Sequence, residues 1–597
     1  MSRTFRLYYP VLPTIAEQAP HRAVYVGEAD DRCQIFAWNR RTGTTRQVTD
    51  RPAGTTRAAL DPSGETVWWF DDDLGGSGRW QLADFAGFTG PRPALPETVS
   101  GRPAGLAMAA DGTAVIGLTD ERGLTLHVRH PDGGHRVAGH LDGYAYVVDV
   151  DTGGRLIVVG ADPAAADAVT IHTADGQQVA VLAGGHDRRV WALGFAPGTS
   201  RLLLVVEAGG DYRLATWTPR DGLRHHDAHR FPTEITACWY PDGEHVLVRQ
   251  DRHAESLLYE VSLTAAEAAP VAVPAGSVLD AAVWPDGDVA YVWTDAATPP
   301  QLCSTGGMAL PTGDGAGPRT GAAPAARRSD IWVPGPGGDI HALVTAPADR
   351  TGPAPAVFLV HGGPSEHARN AYDPVVDLLV HTGCAVVRVN YRGSSGYGAA
   401  WRSDFPAGVG HTQLQDLAAV RRRLVDDGVV LADRTALWGH SWGGYLTLLA
   451  VGVQPDLWRL GIAVTPIADY VAAYHGASPA VRALDRTLFG GTPDDVPERY
   501  LRASPVTYVD QVRAPVFLAV ATDDVRCPPE PVEQYAALLT RRSVPNRLLR
   551  LHAGHEDIDA RNHVALMQAV LPFMQRHFDG VRDEGTPIAL ALARPSG

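Results

Sequence analysis

Ser441 sits in Gly439-His440-Ser441-Trp442-Gly443-Gly444. A serine with glycines two positions before and after it is the pattern that exposes a hydroxyl on a sharp strand-to-helix turn, because a Cβ at either position would strike the neighbouring strand or helix. The preceding Thr435-Ala436-Leu437-Trp438 predicts a buried parallel strand, and Tyr445, Leu446, Leu448, Leu449 and Val451 predict an apolar helix packed on the same sheet. A helix beginning there points free N–H groups and the positive end of its dipole at developing negative charge. The backbone N–H of Trp442 is the expected first oxyanion donor. In a chain of 63 glycines such a turn alone could be purely structural, so its partners decide the matter.

A serine hydroxyl is a weak nucleophile until a histidine takes its proton, and that histidine needs a carboxylate to orient it. In doubly wound hydrolases the acid and then the histidine follow the serine along the chain. Ala514-Pro-Val-Phe-Leu-Ala-Val520 reads as a strand ending in Asp523-Asp524, and Asn546-Arg-Leu-Leu-Arg-Leu551 as a strand ending in His552-Ala-Gly-His555. His555 is preferred over His552 because Gly554 suits a loop reaching into a site. Both aspartates stay open at this level. Upstream, the apolar Val357-Phe-Leu-Val360 opens into His361-Gly362-Gly363-Pro364, a loop of the kind that supplies a second oxyanion N–H, with Gly363 the candidate donor.

With these residues in place, the chain resembles the prolyl oligopeptidase family of serine peptidases, in particular its acylaminoacyl-peptidase-like branch. The likeness rests on His361-Gly-Gly-Pro364, Asn390-Tyr-Arg-Gly-Ser-Ser-Gly-Tyr-Gly398, Gly439-His-Ser-Trp-Gly-Gly444, Ser504-Pro505, Asp524-Val-Arg-Cys-Pro528 and Gly554-His555. Together these span nearly all of residues 330–580. The resemblance implies that Asp524 rather than Asp523 is the triad acid, since the family places an arginine two positions after it, and that this arginine, Arg526, binds the substrate's P2 carbonyl. Val520-Ala521-Thr522 departs from the His-Gly type of strand end common in relatives. No paired-glutamate motif for gripping a free amino terminus is visible.

A chain of 597 residues exceeds what one core normally organises. Residues 329–583 alternate strand and helix and predict an α/β-hydrolase domain with a doubly wound, mostly parallel sheet. Residues 23–307 show short Val-, Ile-, Trp- and Tyr-rich runs between Gly, Pro and Asp turns. Such turns recur at Asp61-Pro-Ser-Gly64, Asp111-Gly112, Thr152-Gly-Gly154, Ala196-Pro-Gly198, Pro241-Asp-Gly243 and Pro285-Asp-Gly287. A repeat of about 40–50 residues is the length of a four-stranded propeller blade. Counting the runs at Val24-Tyr-Val26 and Gln34-Ile-Phe-Ala-Trp38 as a further blade predicts seven. Residues 1–22 form an N-terminal segment that the resemblance would pack against the hydrolase; 308–328 read as a linker, and 584–597 as a tail.

The formal charge of −15 argues against a nucleic-acid partner. The chain has no lysine: its 52 basic residues are all arginine. That excludes a P-loop lysine, a Schiff base, pyridoxal attachment and a Ser–Lys dyad, so Ser441 must rely on histidine. Five scattered cysteines without C-x-x-C spacing predict neither a zinc site nor a disulfide framework. Cys384 reads as core, and Cys527, beside Arg526, as a thiol near the site and open to reagents. His225-His-Asp-Ala-His229 raises a metal hypothesis that its polar setting between blades disfavours, so no metal and no cofactor is expected. The amino terminus lacks signal-peptide patterning and no apolar run is long enough to span a membrane, which predicts a cytoplasmic protein with no membrane partner. Homo-oligomerisation is left open.

These residues predict a serine hydrolase cleaving amides of short peptides or acylated or aminoacyl substrates, with Ser441, Asp524 and His555 catalytic, Trp442 and Gly363 in the oxyanion hole and Arg526 binding substrate. The propeller would limit access. The rival readings are an esterase or acyl transferase using the same triad, because function belongs to the pocket rather than the fold, and a non-catalytic propeller scaffold.

Overall fold

A computed structural model describes residues 11–185, 187–307, 326–555 and 559–579. Its amino-terminal part is a seven-bladed propeller. Six blades are four-stranded antiparallel sheets and the seventh, Ser277–Val283, Val289–Thr294 and Gln301–Ser304, has three strands among the described residues. The recurring turns all fall at one place in the blade, between its first and second strands. Thus Asp61 to Gly64 joins Ala58–Leu60 to Thr66–Asp72, and Pro241 to Gly243 joins Ile235–Trp239 to His245–Arg252. Asp61 shows why an acid recurs: its carboxylate accepts the Thr66 N–H at 2.7 Å and closes the turn.

Strand alternation stacks the blades. In Thr66–Asp72, Val67 and Trp69 join a cluster with Val24 and Ile35 of the first blade, while Trp68 and Phe70 face Ile116 and Leu118 of the third. In Leu202–Ala208, Leu202, Leu204 and Val206 pack toward the fourth blade, whereas Leu203 and Val205 pack toward the sixth. The ring closes where Arg40 of the first blade lies 4.2 Å over the Trp284 ring beside the seventh.

The described part of the amino-terminal segment belongs to this ring rather than to the hydrolase. Thr14–Ile15 pairs with Arg22–Ala29 as a strand of the first blade, and Leu12 packs with Trp284 and Val292 while its N–H donates to Asp280 at 2.9 Å. The second domain also begins before the expected linker ends. Ser304 ends a blade strand and Ala326 begins the strand Ala326–Gly335 of the second domain. Residues 308–325, and the tail 584–597, lie outside the described residues.

The carboxy-terminal domain is built on one eight-stranded sheet. From one edge it runs Ala326–Gly335, Gly338–Pro347, Ala385–Asn390, Ala354–Val360, Val430–His440, Leu460–Val464, Val516–Ala521 and Asn546–Leu551. The first two pairings are antiparallel and the other five parallel. Strand order reverses between Ala354–Val360 and Ala385–Asn390. Crevices at the carboxyl ends of strands near such a reversal are where doubly wound sheets bind ligands.

Both faces of the sheet's centre are covered, so Ala354–Val360, Leu460–Val464 and Val516–Ala521 are apolar throughout, whereas the edge strands Ala326–Gly335 and Asn546–Leu551 are partly exposed and carry arginines. Phe358, Leu437, Leu518 and Val520 face the helices His411–Asp426 and Trp442–Val453, while Val357, Trp438, Phe517 and Ala519 face Pro374–His381 and Ala560–Asp579. One ion pair is sunk in this packing. Arg392, 1% exposed, donates Nη2 to Asp416 at 2.8 Å and its backbone N–H to the same carboxylate at 2.9 Å. Burial outweighs the pull of Arg392 and raises the Asp416 carboxyl above its ordinary range, so desolvation consumes much of the pair's attraction. Removing one partner is another matter. Asp416→Ala leaves the buried guanidinium with only the partly exposed Asp404, 3.2 Å from its Nη1, as counter-charge, and is expected to cost about 3 kcal/mol of stability in a urea titration.

Candidate active site

The turn at Ser441 is as tight as its glycines require. Ser441 has φ 54° and ψ −119°, a left-handed conformation that non-glycine residues seldom adopt and that lifts the side chain off the end of Val430–His440. A Cβ on Gly439 would lie 2.0 Å from the Gly443 carbonyl carbon, and one on Gly443 would lie 2.0 Å from the Val360 oxygen. The Ser441 N–H is held by the Val464 carbonyl at 2.9 Å, and Trp442 begins the following helix. The free N–H groups of its first turn therefore cluster beside the serine.

Three strands deliver the partners. His555 Nε2 lies 3.1 Å from Ser441 Oγ and its Nδ1 lies 2.7 Å from Asp524 Oδ2. The other oxygen of Asp524 accepts the backbone N–H groups of Arg526 and Cys527, each at 2.8 Å. The Asp524 side chain is fully covered, so its carboxylate is fixed by the turn on one side and the imidazole on the other.

The two alternatives pair with each other. Asp523 lies 3.3 Å from His552 Nδ1, with the His552 side chain 82% exposed, and Asp523 also accepts the Thr522 hydroxyl at 2.7 Å. That outer pair braces the acid loop, because the Asp523 N–H donates to Ala553 in the histidine loop at 3.0 Å.

Gly363 lies at the end of Ala354–Val360 with φ 118°, and a Cβ there would meet the Ser365 nitrogen at 2.5 Å. Its loop is stapled from below: Tyr391 donates its hydroxyl to the His361 carbonyl at 2.8 Å and stacks on the His361 ring at 4.2 Å. His361 Nε2 meets Ser394 Oγ at 2.8 Å, and burial pushes the imidazole down to about 4, which keeps it neutral. The Asn390-to-Gly398 segment thus acts as the underside of the candidate oxyanion loop. Arg526, two residues after Asp524, is exposed.

Cys527 departs from the expectation of a reactive thiol. It is buried, and burial together with the Asp524 charge raises it far above the ordinary thiol range. Its Sγ belongs with Asp524 and His555 to a group whose ligand atoms lie within 4.8 Å of one another. Asp524 and His555 are already engaged with each other there. In the other cluster, His226 meets Thr216 at 3.0 Å, His229 meets the Ser262 carbonyl at 3.0 Å and Asp227 pairs with Arg213, so its side chains diverge to separate partners.

The propeller contributes to the site in ways its sequence does not announce. Glu207 on the fifth blade and Glu234 in the connection from the fifth blade to the sixth converge on Arg402 of the hydrolase; Tyr212 joins them, donating to Glu234 at 2.8 Å, and Glu234 also accepts the Gly396 N–H at 2.6 Å. On the other side a cavity of about 540 Å³ is lined by Asp73, Leu74, Arg102 and Glu121 of the propeller and by Arg482 and Asp524 of the hydrolase. Leu74 reaches the histidine loop: a Cβ on Gly554 would lie 2.3 Å from its carbonyl oxygen. No helix among the described residues is long and apolar enough to cross a membrane.

Comparison with known proteins agrees with this architecture. Residues 370–581 match the model of the prolyl oligopeptidase family. The acylamino-acid-releasing enzyme of Mus musculus is 31% identical over 218 residues, which are 35% of this chain and 30% of that enzyme. The chain thus spans under a third of the curated relatives' length in these matches. Among solved structures, acylaminoacyl peptidase of Pyrococcus horikoshii superposes with a TM-score of 0.75 at 16% identity, covering 98% of each chain. A puromycin-hydrolyzing peptidase of Mycobacterium tuberculosis gives 0.79 at 20% identity, covering 97% of this chain and 95% of that one. A seven-bladed propeller set against a doubly wound sheet, with the family match falling on the sheet that carries Ser441, makes residues 370–581 a prolyl oligopeptidase family domain.

Proposed function

We propose that the chain is a serine peptidase that cleaves amide bonds of short peptides or of acylated or aminoacyl substrates through an acyl-enzyme. The observation that carries this reading is the unbroken hydrogen-bond path from Ser441 Oγ through His555 to Asp524 at the carboxyl end of the sheet. Ser441 Oγ attacks the carbonyl carbon as its proton passes to His555 Nε2, and Asp524 stabilises the imidazolium that forms. The N–H groups of Trp442 and Gly363 receive the oxyanion. His555 then protonates the leaving amine, and the same groups activate water to release the acyl group. One oxyanion donor is worth about 3 kcal/mol in such reactions. Arg526 holds the substrate's P2 carbonyl, and the propeller above the cavity admits only small or unstructured chains. A cytoplasmic setting fits the absence of disulfides among the described cysteines.

The test is a product analysis by mass spectrometry on matched sets of blocked peptides, aminoacyl anilides and simple esters. Amide cleavage in short peptides and none in folded proteins is expected. Turnover of esters alone would replace the peptidase reading by an esterase or acyl transferase with the same triad.

A further inference from the structure

Arg388 is 8% exposed, yet among the described residues no carboxylate lies within ion-pair distance of it. Its Nη1 donates to the carbonyls of Arg369 and Ala371 at 3.0 and 3.4 Å; Nε is buried without a partner, and Nη2 meets no acceptor among the described residues. Burial pushes the guanidinium below its usual range, ahead of the opposing pull of Asp373 and Asp330. Arg392, four residues on, shows what this edge of a guanidinium takes: its Nε and Nη2 both donate to Asp416, at 3.0 and 2.8 Å. A buried cation whose two-donor edge meets no acceptor calls for an anion, and a planar carboxylate matches two parallel N–H groups.

Arg388 also lines a cavity. Pro374–His381 packs chiefly on Gly338–Pro347 and Ala385–Asn390, whereas Ala560–Asp579 packs on Leu460–Val464, Val516–Ala521 and Asn546–Leu551. Over the carboxyl ends of the strands between them lies a cavity of about 420 Å³, within the usual size of small-molecule sites. Arg388, Leu359 and Trp438 are direct neighbours across three strands and make one wall; Val360, Pro374 and Val375 add apolar surface. Asp373, the one acid among the described lining residues, accepts the Val375 N–H at 2.8 Å, and the lining Arg369 pairs with Asp251 of the propeller at 3.0 Å. Arg388 is therefore the charge that this apolar lining leaves without a partner.

The cavity adjoins the reacting centre. His361, which opens the candidate oxyanion loop, and His440, whose ring stands 5.4 Å from that of His555, both line it. It lies on the Ala354–Val360 side of Ser441, whereas Asp524 and Arg526 follow Val516–Ala521 on the other side. With Arg526 on the acyl part of a substrate, the leaving group runs toward the cavity. Arg388 is two strands from the elbow strand, about 10 Å across the sheet, and level with Trp438, about 10 Å along it from Ser441. An arginine side chain and a dipeptide together span that distance.

We propose that Arg388 makes this cavity a binding site for a small organic carboxylate with an apolar body. The carboxylate has two sources, the carboxyl terminus of the leaving group or a free carboxylic acid, and the geometry favours the first. Only that source rests on Ser441 being the reacting centre.

Isothermal titration calorimetry on the full chain would compare glycyl-phenylalanine with glycyl-phenylalaninamide, and 3-phenylpropionate with 3-phenylpropanamide. At least one carboxylate is expected to bind more tightly than its amide, and to lose at least tenfold in affinity in Arg388→Met. Binding of the dipeptide alone identifies the leaving group, and of phenylpropionate alone a free acid. Val375→Trp, which fills the cavity from the helix and keeps Arg388, is the second variant and should lose as much; circular dichroism checks the fold of both. Carboxylate and amide binding alike, or either folded variant binding the carboxylate as the parent does, would overturn the proposal. Steady-state kinetics separate the sources again: for a leaving-group site, kcat/KM for a blocked tripeptide acid over its carboxamide falls at least tenfold in Arg388→Met while the carboxamide is unchanged. Carboxylate binding without cleavage of any amide would leave the site standing and remove the peptidase reading; amide cleavage without carboxylate binding would do the reverse.

Discussion

Asp524→Asn is expected to lower kcat about 10⁴-fold, whereas Asp523→Asn lowers it less than about tenfold. Both aspartates lie on one turn and both have a histidine within ion-pair distance, so the difference is a matter of environment. Asp524 is fully covered, bonded at 2.7 Å to the imidazole that faces Ser441 and held by two backbone N–H groups. An asparagine there keeps its oxygen on the Arg526 and Cys527 N–H groups and turns its NH2 to Nδ1, which favours the tautomer protonated at Nε2 and leaves Nε2 unable to accept the serine proton. Asp523 pairs with a largely exposed His552, and an exposed pair contributes about 0–1 kcal/mol. Stopped assays of both variants on one anilide check the contrast. Equal losses would show that the outer pair, rather than the inner one, orients the base.

Ser441→Ala is expected to remove about six orders of magnitude from kcat. The companion expectation is non-additivity: Ser441→Ala combined with Asp524→Asn should be no slower than Ser441→Ala alone, because without the hydroxyl the orientation of His555 has nothing to act on. A double variant slower by a further large factor, measured on the same anilide, would mean that Asp524 acts in a step that does not pass through Ser441. Thermal unfolding of the single variant should match the parent, since the backbone strain at Ser441 is held by the glycine contacts and by the Val464 carbonyl and not by the hydroxyl.

What could be read from the sequence was local. The elbow was legible because Gly439 and Gly443 answer to contacts within a few residues, and the blades were legible because one turn, between first and second strands, recurs with its Asp, Pro and Gly. The strand before the serine was only half visible. It runs over Val430–His440, but Asp433 and Arg434 interrupt the apolar pattern near the end where Val430 pairs with Ala354, so only Thr435 to Trp438 read as strand. Thr14–Ile15 escaped notice because two residues carry no alternation.

The misses were matters of facing and of distance along the chain. The reactivity expected of Cys527 failed because neighbours on a turn face opposite ways: Arg526 is exposed while Cys527 is buried. Glu207 and Glu234 read as scattered acids until the blades bring both to Arg402.

The central claim is that Ser441 is a nucleophile activated by His555. Its most direct test is peptide-level mass spectrometry of the folded chain after treatment with a fluorophosphonate. The account predicts a single stoichiometric adduct on Ser441, formed quickly in the parent and at least a thousandfold more slowly in His555→Ala. No adduct on Ser441, or one that forms as fast without His555, would contradict it.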